Sequence, residues 1–199
     1  MNTCYIVGAG EIFSYPTKEN GDLIIAADGG YDHLISHGIA PDLLIGDFDS
    51  IRELPTGVEL IRYPERKDDT DTFLAFKEGF LRGYRSFEIY GGVGGRDDHT
   101  FANISLLLYA RKKGAKAVLK TELQSCEVFS DEERVISSDP GAYFSVFAIG
   151  GDATVSIEGA EYNLEGATLT PDFPLGVSNK FKTEKVKITV TRGSVLVFY

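Results

Sequence analysis

The chain has 199 residues, of which 43% are hydrophobic and 25% are charged, a balance typical of a soluble globular protein. Its formal net charge is −10, so we expect no sequence-independent binding to nucleic acid and no attachment to an anionic membrane. The N-terminus lacks the pattern of a signal peptide, and no run reaches the roughly 18 apolar residues that a membrane span requires. Two cysteines, Cys4 and Cys126, favour reduced thiols in a cytoplasmic protein over a disulfide framework.

The first 120 residues alternate between strand and helix patterns, which predicts a parallel sheet covered by helices. The predicted strands are Thr3–Val7, Leu23–Ala27, Leu43–Ile45, Val58–Tyr63, Ser86–Tyr90 and Ala117–Lys120. Two stretches between them carry apolar residues at helical spacing and are predicted to be helices. The apolar positions are Phe73, Phe76 and Phe80 in the first helix and Phe101, Ile104 and Leu108 in the second.

From about Gln124 onward the pattern changes to short alternating runs separated by Gly, Asp and Pro. Such runs are typical of antiparallel sheets. We therefore predict an α/β domain over residues 1–123, with a parallel sheet and flanking helices, followed by an all-β antiparallel sandwich over residues 124–199. The clearest runs are Tyr143–Phe147, Thr154–Ile157, Val186–Thr191 and Ser194–Tyr199.

Gly and Asp follow the predicted strands of the first domain. In a parallel sheet these strand ends share one edge, where ligands bind, and glycine lets the backbone approach a phosphate. Gly and Asp are also ordinary turn residues, but their enrichment at four strand ends favours a phosphate site. The common phosphate-loop and dinucleotide motifs are absent from the sequence. The four segments are Val7-Gly-Ala-Gly10, Ala27-Asp-Gly-Gly30, Ile45-Gly-Asp-Phe-Asp-Ser50 and Tyr90-Gly-Gly-Val-Gly-Gly-Arg-Asp-Asp-His99.

Asp47 and Asp49 form a pair of carboxylates after an apolar run. If the strand continued through them, they would point to the same side with attachment points about 6.6 Å apart. Two charges at that spacing repel by roughly 2.5 kcal/mol at an effective dielectric near 20. Mg²⁺ would turn this repulsion into attraction, because it binds one or two carboxylates together with substrate phosphates. The pair therefore indicates a magnesium site.

Arg96, His99 and Asn103 fall on one side of the second predicted helix, beside the glycine-rich turn and away from its apolar positions. A polar stripe at this place is consistent with ligand contact and equally with an ordinary solvated helix face. The sequence has neither a Gly-x-Ser-x-Gly nucleophile motif nor a Cys-x-x-Cys motif. The site therefore has the composition of one that positions a ligand and neutralises charge, which is what phosphoryl transfer requires.

Five short motifs occur along the chain in the following order: Asp28-Gly-Gly30, Gly46-Asp-Phe-Asp-Ser50, Lys67-Asp-x-Thr-Asp71, Gly91-Gly-x-Gly-Gly-Arg-Asp97 with His99 and Asn103, and Gly176-Val-Ser-Asn179. In sequence and order, these motifs resemble those of the bacterial thiamin pyrophosphokinase family. The resemblance spans most of the chain and agrees with that family's α/β catalytic domain followed by a β-sandwich domain.

The resemblance implies an ATP:thiamin diphosphotransferase, in which the thiamin hydroxyl attacks the β-phosphorus of ATP, AMP leaves and Mg²⁺ is present. It implies a homodimer whose active site lies at the subunit interface. Asp71 and Asp97 remain alternatives as general base, and Lys67 could contact either phosphate or thiamin. The implied metal ligands are Asp47, Asp49 and Asp71, the nucleotide contacts are Asp28, Gly29, Gly30, Lys67, Gly92, Arg96, His99 and Asn103, and the thiamin contacts are Ser178 and Asn179.

Two other functions remain open at the level of the sequence. Asp47-Phe-Asp49 also resembles the Asp-x-Asp of Mg²⁺-dependent phosphohydrolases, in which the first Asp is a nucleophile. That motif usually follows the first strand, whereas here it follows the third. The alternative is a nucleotide-binding module without catalytic activity.

Overall fold

The computed structural model describes residues 2–48, 56–64 and 68–199. The chain divides into two compact units, Met1–Leu123 and Gln124–Tyr199. Among the described residues, no helix is long and apolar enough to cross a membrane.

The described part of the first unit contains six parallel strands in the order β6-β5-β1-β2-β3-β4. This arrangement confirms the predicted parallel sheet with helices. The strands are β1 (Thr3–Val7), β2 (Leu23–Ala27), β3 (Leu43–Gly46), β4 (Glu59–Arg62), β5 (Ser86–Tyr90) and β6 (Lys116–Lys120), and the helices are α1 (Gly30–Ser36), α2 (Asp71–Leu81) and α3 (Asp97–Lys112).

Helices cover both faces of this sheet. Leu34 of α1 packs in a cluster with Val7, Ile24 and Leu44 on one face. Successive strand residues point to opposite faces, and Cys4 of β1 accordingly packs on the other face, against α2. Buried strands with apolar residues on both faces are the expected pattern for a parallel sheet.

The prediction that Phe101, Ile104 and Leu108 form the buried face of α3 is wrong. Phe101 is 72% exposed, and the residues that α3 buries are Asn103, Leu106, Leu107 and Ala110. The helix is therefore rotated relative to the prediction, with Asn103 on its buried side. A polar residue can occupy that side because its amide finds a hydrogen-bond partner there; the partner is described below.

Both cysteines are buried, and neither forms a disulfide. Burial raises the pKa of the Cys4 thiol and raises that of Cys126 to about 12. Both thiols are therefore neutral at physiological pH and serve as small apolar core residues.

The second unit is an antiparallel sandwich, as predicted. Strand β12 pairs with β7 on one side, and on its other side it pairs with β9 through residues 187–192 and with β8 through residues 195–198. Phe144 and Phe181 meet in its core with ring centroids 5.2 Å apart. The strands are β7 (Ser125–Ser137), β8 (Tyr143–Ala148), β9 (Ala153–Glu158), β10 (Leu164–Leu169), β11 (Gly176–Lys180) and β12 (Lys185–Phe198).

The last two predicted runs, Val186–Thr191 and Ser194–Tyr199, belong to this single strand. The pairing of β12 with β7 shifts register between Val190 and Ser194, and Gly193 has a φ of +80°. A bulge of this kind bends a strand without ending it, and beyond this bulge the neighbour of β12 changes from β9 to β8.

Replacing Gly79 by Ala tests how tightly α2 packs on the sheet. Alanine is favoured over glycine in a helix by about 1 kcal/mol, yet a Cβ at Gly79 would lie 2.7 Å from Cys4 Sγ and 2.8 Å from Phe87 Cε1. Both neighbours are fully buried. We expect Gly79→Ala to lower the free energy of unfolding by about 1–3 kcal/mol, because overpacking outweighs helix propensity. Urea denaturation measures this, with Ser105→Ala on the exposed surface of α3 as the matched control, and an unchanged or raised midpoint for Gly79→Ala would contradict the packing described.

Candidate functional site: a glycine-lined crevice at the carboxyl edge of the parallel sheet

The turn after β1 lies directly against the loop after β5. Beyond the paired strands, the Gly8 N–H donates to the Tyr90 carbonyl (2.8 Å), the Gly10 N–H to the Gly91 carbonyl (2.9 Å) and the Glu11 N–H to the Val93 carbonyl (2.8 Å). These bonds extend the parallel pairing of β1 and β5 into their loops. The two loops therefore form one backbone-lined surface at the carboxyl edge of the sheet.

This approach is too close for side chains. A Cβ at Gly10 would lie 2.3 Å from the Val93 carbonyl oxygen, and one at Gly91 would lie 2.4 Å from the Gly8 carbonyl oxygen. Gly91 also has a φ of +61°. Both positions therefore require glycine.

A pocket of ≈ 250 Å³ opens over this surface. Its walls include four residues predicted to contact a nucleotide, namely Gly92, Arg96, His99 and Asn103. The structure thus brings these four together, and it adds Thr72 from the start of α2. The turn Ala9-Gly10 completes the lining from the side of β1.

Asn103 supports the glycine-rich loop from below. Its side chain is 6% exposed, and its Nδ2 donates a 2.8 Å hydrogen bond to the Gly92 carbonyl. A Cβ at Gly92 would lie 3.3 Å from that same Nδ2. Asn103 therefore stabilises the loop and also lines the pocket. The bond to the loop backbone was not predicted from the sequence, which suggested either ligand contact or a solvated helix face.

Arg96 forms a bidentate ion pair with Asp98. Its Nε and Nη2 atoms donate to the two carboxylate oxygens at 3.1 and 2.6 Å, and the backbone N–H of His99 donates to Asp98 Oδ1 at 3.0 Å. Both side chains are largely exposed, so the pair serves to orient the guanidinium more than to stabilise the fold. The pair occupies two of the five guanidinium donors.

Asp98 is a functional candidate that the sequence-based prediction missed in favour of its neighbour Asp97. Asp97 is the first residue of α3, and two adjacent carboxylates in a helix start cannot be told apart by spacing alone. No spacing in the sequence singles out Asp98, because its contact with Arg96 depends on how the backbone enters α3.

Three carboxylates lie along the same edge of the sheet. Asp28 directly follows β2, Asp47 directly follows β3, and Asp71 is the first residue of α2, next to the pocket residue Thr72. The Asp28 N–H donates to the Ile45 carbonyl at 2.8 Å, which connects the ends of β2 and β3.

The loop after β3 departs from strand geometry. The strand ends at Gly46, and Phe48 has a φ of +65°, so strand alternation does not relate Asp47 to Asp49. Arg62 holds this turn: its Nε donates to the Asp47 carbonyl at 3.1 Å, and its guanidinium carbon lies 5.5 Å from the centroid of the Phe48 ring. Asp49 and Lys67 lie outside the described residues.

Within residues 2–48, 56–64 and 68–199, no group of three or more His, Cys, Asp or Glu side chains is placed to hold a metal ion. The donor set at this edge nevertheless suits Mg²⁺, which is commonly held by one or two carboxylates, water and substrate phosphates. Asp47 and Asp71 are carboxylates of this kind. The predicted ligand set of Asp47, Asp49 and Asp71 thus remains a proposal.

A larger cavity of ≈ 470 Å³ lies where the strands begin. It is lined by Asn2, just before β1, and by residues 82–85, just before β5. It contains none of the predicted site residues. Because ligands in parallel sheets bind beyond the carboxyl ends of the strands, the smaller crevice is the functional candidate.

In the second unit, the two residues predicted to contact thiamin differ in their surroundings. Ser178 is exposed and has a φ of +57°. Asn179 is 4% exposed: its Oδ1 accepts from the N–H groups of Tyr162 (3.1 Å) and Lys180 (2.9 Å), and its Nδ2 donates to the Tyr162 carbonyl (2.7 Å). Asn179 therefore ties two backbone segments together.

The first unit is an α/β protein with a glycine-lined crevice at the carboxyl edge, the class of fold that binds phosphate-containing ligands there. Comparison with known proteins narrows this class. The sequence profile of the thiamin pyrophosphokinase catalytic domain matches residues 16–119, and that of the thiamin pyrophosphokinase vitamin B1 binding domain matches residues 131–195. The chain therefore belongs to the thiamin pyrophosphokinase family, which confirms the resemblance seen in its motifs.

Full-length relatives agree with this assignment. Thiamine pyrophosphokinase of Bacillus subtilis is 28% identical over 209 aligned residues, covering 99% of this chain and 98% of that protein. A crystal structure of thiamine pyrophosphokinase from Bacillus subtilis matches with a TM-score of 0.90 at 26% identity, over 99% of this chain and 98% of that one. A crystal structure of a thiamin pyrophosphokinase family protein from Enterococcus faecalis matches with a TM-score of 0.83 at 25% identity, over 100% of this chain and 98% of that one.

The Arg96–Asp98 pair can be tested by measuring the pKa of the Asp98 carboxyl group. Hydrogen bonding from Arg96 lowers the pKa of Asp98 below its ordinary value of 3.8, so the pair is intact above that value and is lost as the pH falls through the lowered pKa. In a carboxyl NMR titration we expect Asp98 to titrate below 3.8 and to return to its ordinary range in Arg96→Ala. Asp172, whose pKa is lowered by the Thr170 hydroxyl, should be unaffected by that substitution. An Asp98 titration that does not respond to Arg96→Ala would show that the pair is absent in solution.

Proposed function

We propose that this chain transfers the β,γ-diphosphate of ATP to the hydroxyl of thiamin, giving thiamin diphosphate and AMP, with Mg²⁺ bound at the carboxyl edge of the first unit. Family membership identifies the chain as a thiamin pyrophosphokinase. The observation that carries the nucleotide site is the pocket that gathers Gly92, Arg96, His99 and Asn103 over a backbone-lined surface.

The proposed reaction forms a bond between the thiamin oxygen and the β-phosphorus and breaks the bond from that phosphorus to the oxygen bridging the α-phosphorus. AMP leaves with the bridging oxygen and its electron pair. The hydroxyl proton passes to a base, for which Asp71 and Asp97 are the two candidates. When bound, Mg²⁺ would neutralise phosphate charge and orient the polyphosphate.

The residues of this chain mainly position groups and neutralise charge, as phosphoryl transfer requires. Peptide N–H groups of the glycine-rich loop, in which Gly94 and Gly95 are exposed, would donate to phosphate oxygens. Arg96, oriented by Asp98, places a fixed positive charge at the rim, where charge develops on the phosphates. The metal would be held by Asp47, Asp71 and Asp49, the last of which lies outside the described residues. The nucleotide is proposed to lie along Asp28, Gly29, Gly30 and Lys67.

Thiamin is proposed to bind at Ser178 in the second unit, with the active site completed at the interface of a homodimer. Exposed aromatic and apolar side chains around β11 support an interface on this face, because monomers rarely leave such a group uncovered. They are Tyr143, Tyr162, Phe173, Leu175 and Val177. The cytoplasmic location remains a prediction from the sequence.

The products test the proposed reaction directly. Purified protein incubated with ATP, thiamin and Mg²⁺ should yield AMP and thiamin diphosphate in equal amounts, and excess EDTA should abolish both. Anion-exchange chromatography separates AMP from ADP. ADP as the nucleotide product would mean ordinary kinase chemistry, a trapped phospho-aspartate would favour the hydrolase, and nucleotide binding without turnover would favour a binding module.

The charge of Asp47 should matter more than its shape. We expect Asp47→Asn to lower kcat by more than about tenfold while the protein still folds cooperatively, because neutralising a metal ligand removes an electrostatic role. Asp152→Asn makes the same change at an exposed position of the second unit and should retain normal activity. A normal kcat in Asp47→Asn, measured at saturating substrates, would remove Asp47 from the metal site.

A further inference from the structure

A bulge in strand β11 places Ser178 in an unusual conformation. In the antiparallel pairing of β11 with β8, Gly176 lies opposite Val146 and Asn179 lies opposite Phe144. Two residues of β11, Val177 and Ser178, therefore face the single residue Ser145. The extra residue of such a bulge is left out of the regular ladder of backbone hydrogen bonds.

The hydroxyl of Ser145 replaces the missing partner. Its Oγ accepts a 3.0 Å hydrogen bond from the backbone N–H of Ser178. Ser178 has a φ of +57°, a left-handed conformation that is unfavourable for a residue with a Cβ and persists only where the surroundings hold it. Ser145 thus contacts the strained residue directly.

The bulge is held on both flanks as well. A Cβ at Gly176 would lie 2.3 Å from the Val146 carbonyl oxygen, so β11 approaches β8 closely before the bulge. After it, the buried Asn179 side chain binds the backbone of Tyr162 on both its N–H and its carbonyl. Between these flanks, the Val177 N–H donates to the Pro174 carbonyl at 3.2 Å, and Ser145 contacts Ser178 itself. The direction of the Ser178 side chain therefore depends on the Ser145 contact.

We propose that Ser145 is a positioning residue for thiamin, acting through Ser178 without touching the substrate itself. The inference rests on the proposed function, because it takes Ser178 as a thiamin contact. Loss of the Ser145 hydroxyl removes the acceptor that this chain provides for the Ser178 N–H, so Ser178 no longer presents its hydroxyl in one direction even though the flanks of the bulge stay anchored. The cost appears in thiamin binding, while the ATP site of the first unit is unaffected.

An isosteric pair of variants isolates the hydroxyl. Ser145→Thr keeps an acceptor, whereas Ser145→Val has the same shape without one, and both residues suit a strand. We expect Ser145→Val to raise KM for thiamin by about fivefold to tenfold, the usual size of one lost hydrogen bond, while KM for ATP and kcat change by less than about twofold. Ser145→Thr should restore KM for thiamin to near the value of the unmodified protein.

Ser156 offers a matched control within the same unit. Its Oγ accepts a 2.9 Å hydrogen bond from the N–H of Gly166, which also has a positive φ (+53°) and lies at a register shift, between β10 and β9. The chemistry is the same, but no predicted ligand residue is involved. We expect both Ser156→Val and Ser145→Val to lower the thermal midpoint, but Ser156→Val should leave KM for thiamin unchanged.

A double-variant cycle separates positioning through Ser178 from direct contact. If Ser145 acts through Ser178, adding Ser145→Val to Ser178→Ala should raise KM for thiamin by less than about twofold further. A full additional increase would mean that Ser145 contacts thiamin itself and would overturn the proposal, as would equal KM values for Ser145→Val and Ser156→Val. Failure of the unmodified protein to form thiamin diphosphate would instead refute the proposed function.

Discussion

The candidate site depends on the contact between two backbone segments, the turn after β1 and the loop after β5. Their parallel pairing continues beyond the strands through three N–H-to-carbonyl bonds, and at Gly10 and Gly91 a single Cβ would collide with a carbonyl oxygen of the opposing loop. Since the atom nearest to such a Cβ is a backbone carbonyl oxygen at both positions, no rotamer change can make room for a larger residue. This contact forms the floor of the pocket. It also fixes the loop that leads into α3 and so positions Arg96, His99 and Asn103.

Backbone strain is concentrated in the motifs that suggested function. Among the described residues, four non-glycine residues have a positive φ, and three of them, Asp28, Phe48 and Ser178, fall within motifs of the family. Each is held by a specific neighbour: Asp28 by its N–H bond to Ile45, the turn at Phe48 by Arg62, and Ser178 by Ser145. Strained residues supported in this way are frequent at functional sites, because the strain sets the direction of a side chain.

Two asparagines illustrate what a sequence pattern can and cannot show. Asn103 and Asn179 were both predicted as ligand contacts, and both are buried, with side chains bonded to neighbouring backbone. Their position in the motifs was informative, but the pattern does not distinguish a side chain that touches a ligand from one that shapes the loop around it. Asp98 was overlooked for a related reason: its bond to Arg96 depends on how the backbone turns into α3.

The sequence by itself determined the strands of the parallel sheet, the change to antiparallel structure near residue 124, the glycine-rich strand ends and the family. These features depend on local periodicity and on short motifs, which neighbouring residues specify. Only the tertiary structure decided which face α3 buries, that the last two predicted runs form one bent strand, and which polar residues support loops. These outcomes depend on contacts between residues far apart in the chain, such as Asn103 with Gly92 and Ser145 with Ser178, and a hydrogen bond across such a separation leaves no periodic signal in the sequence.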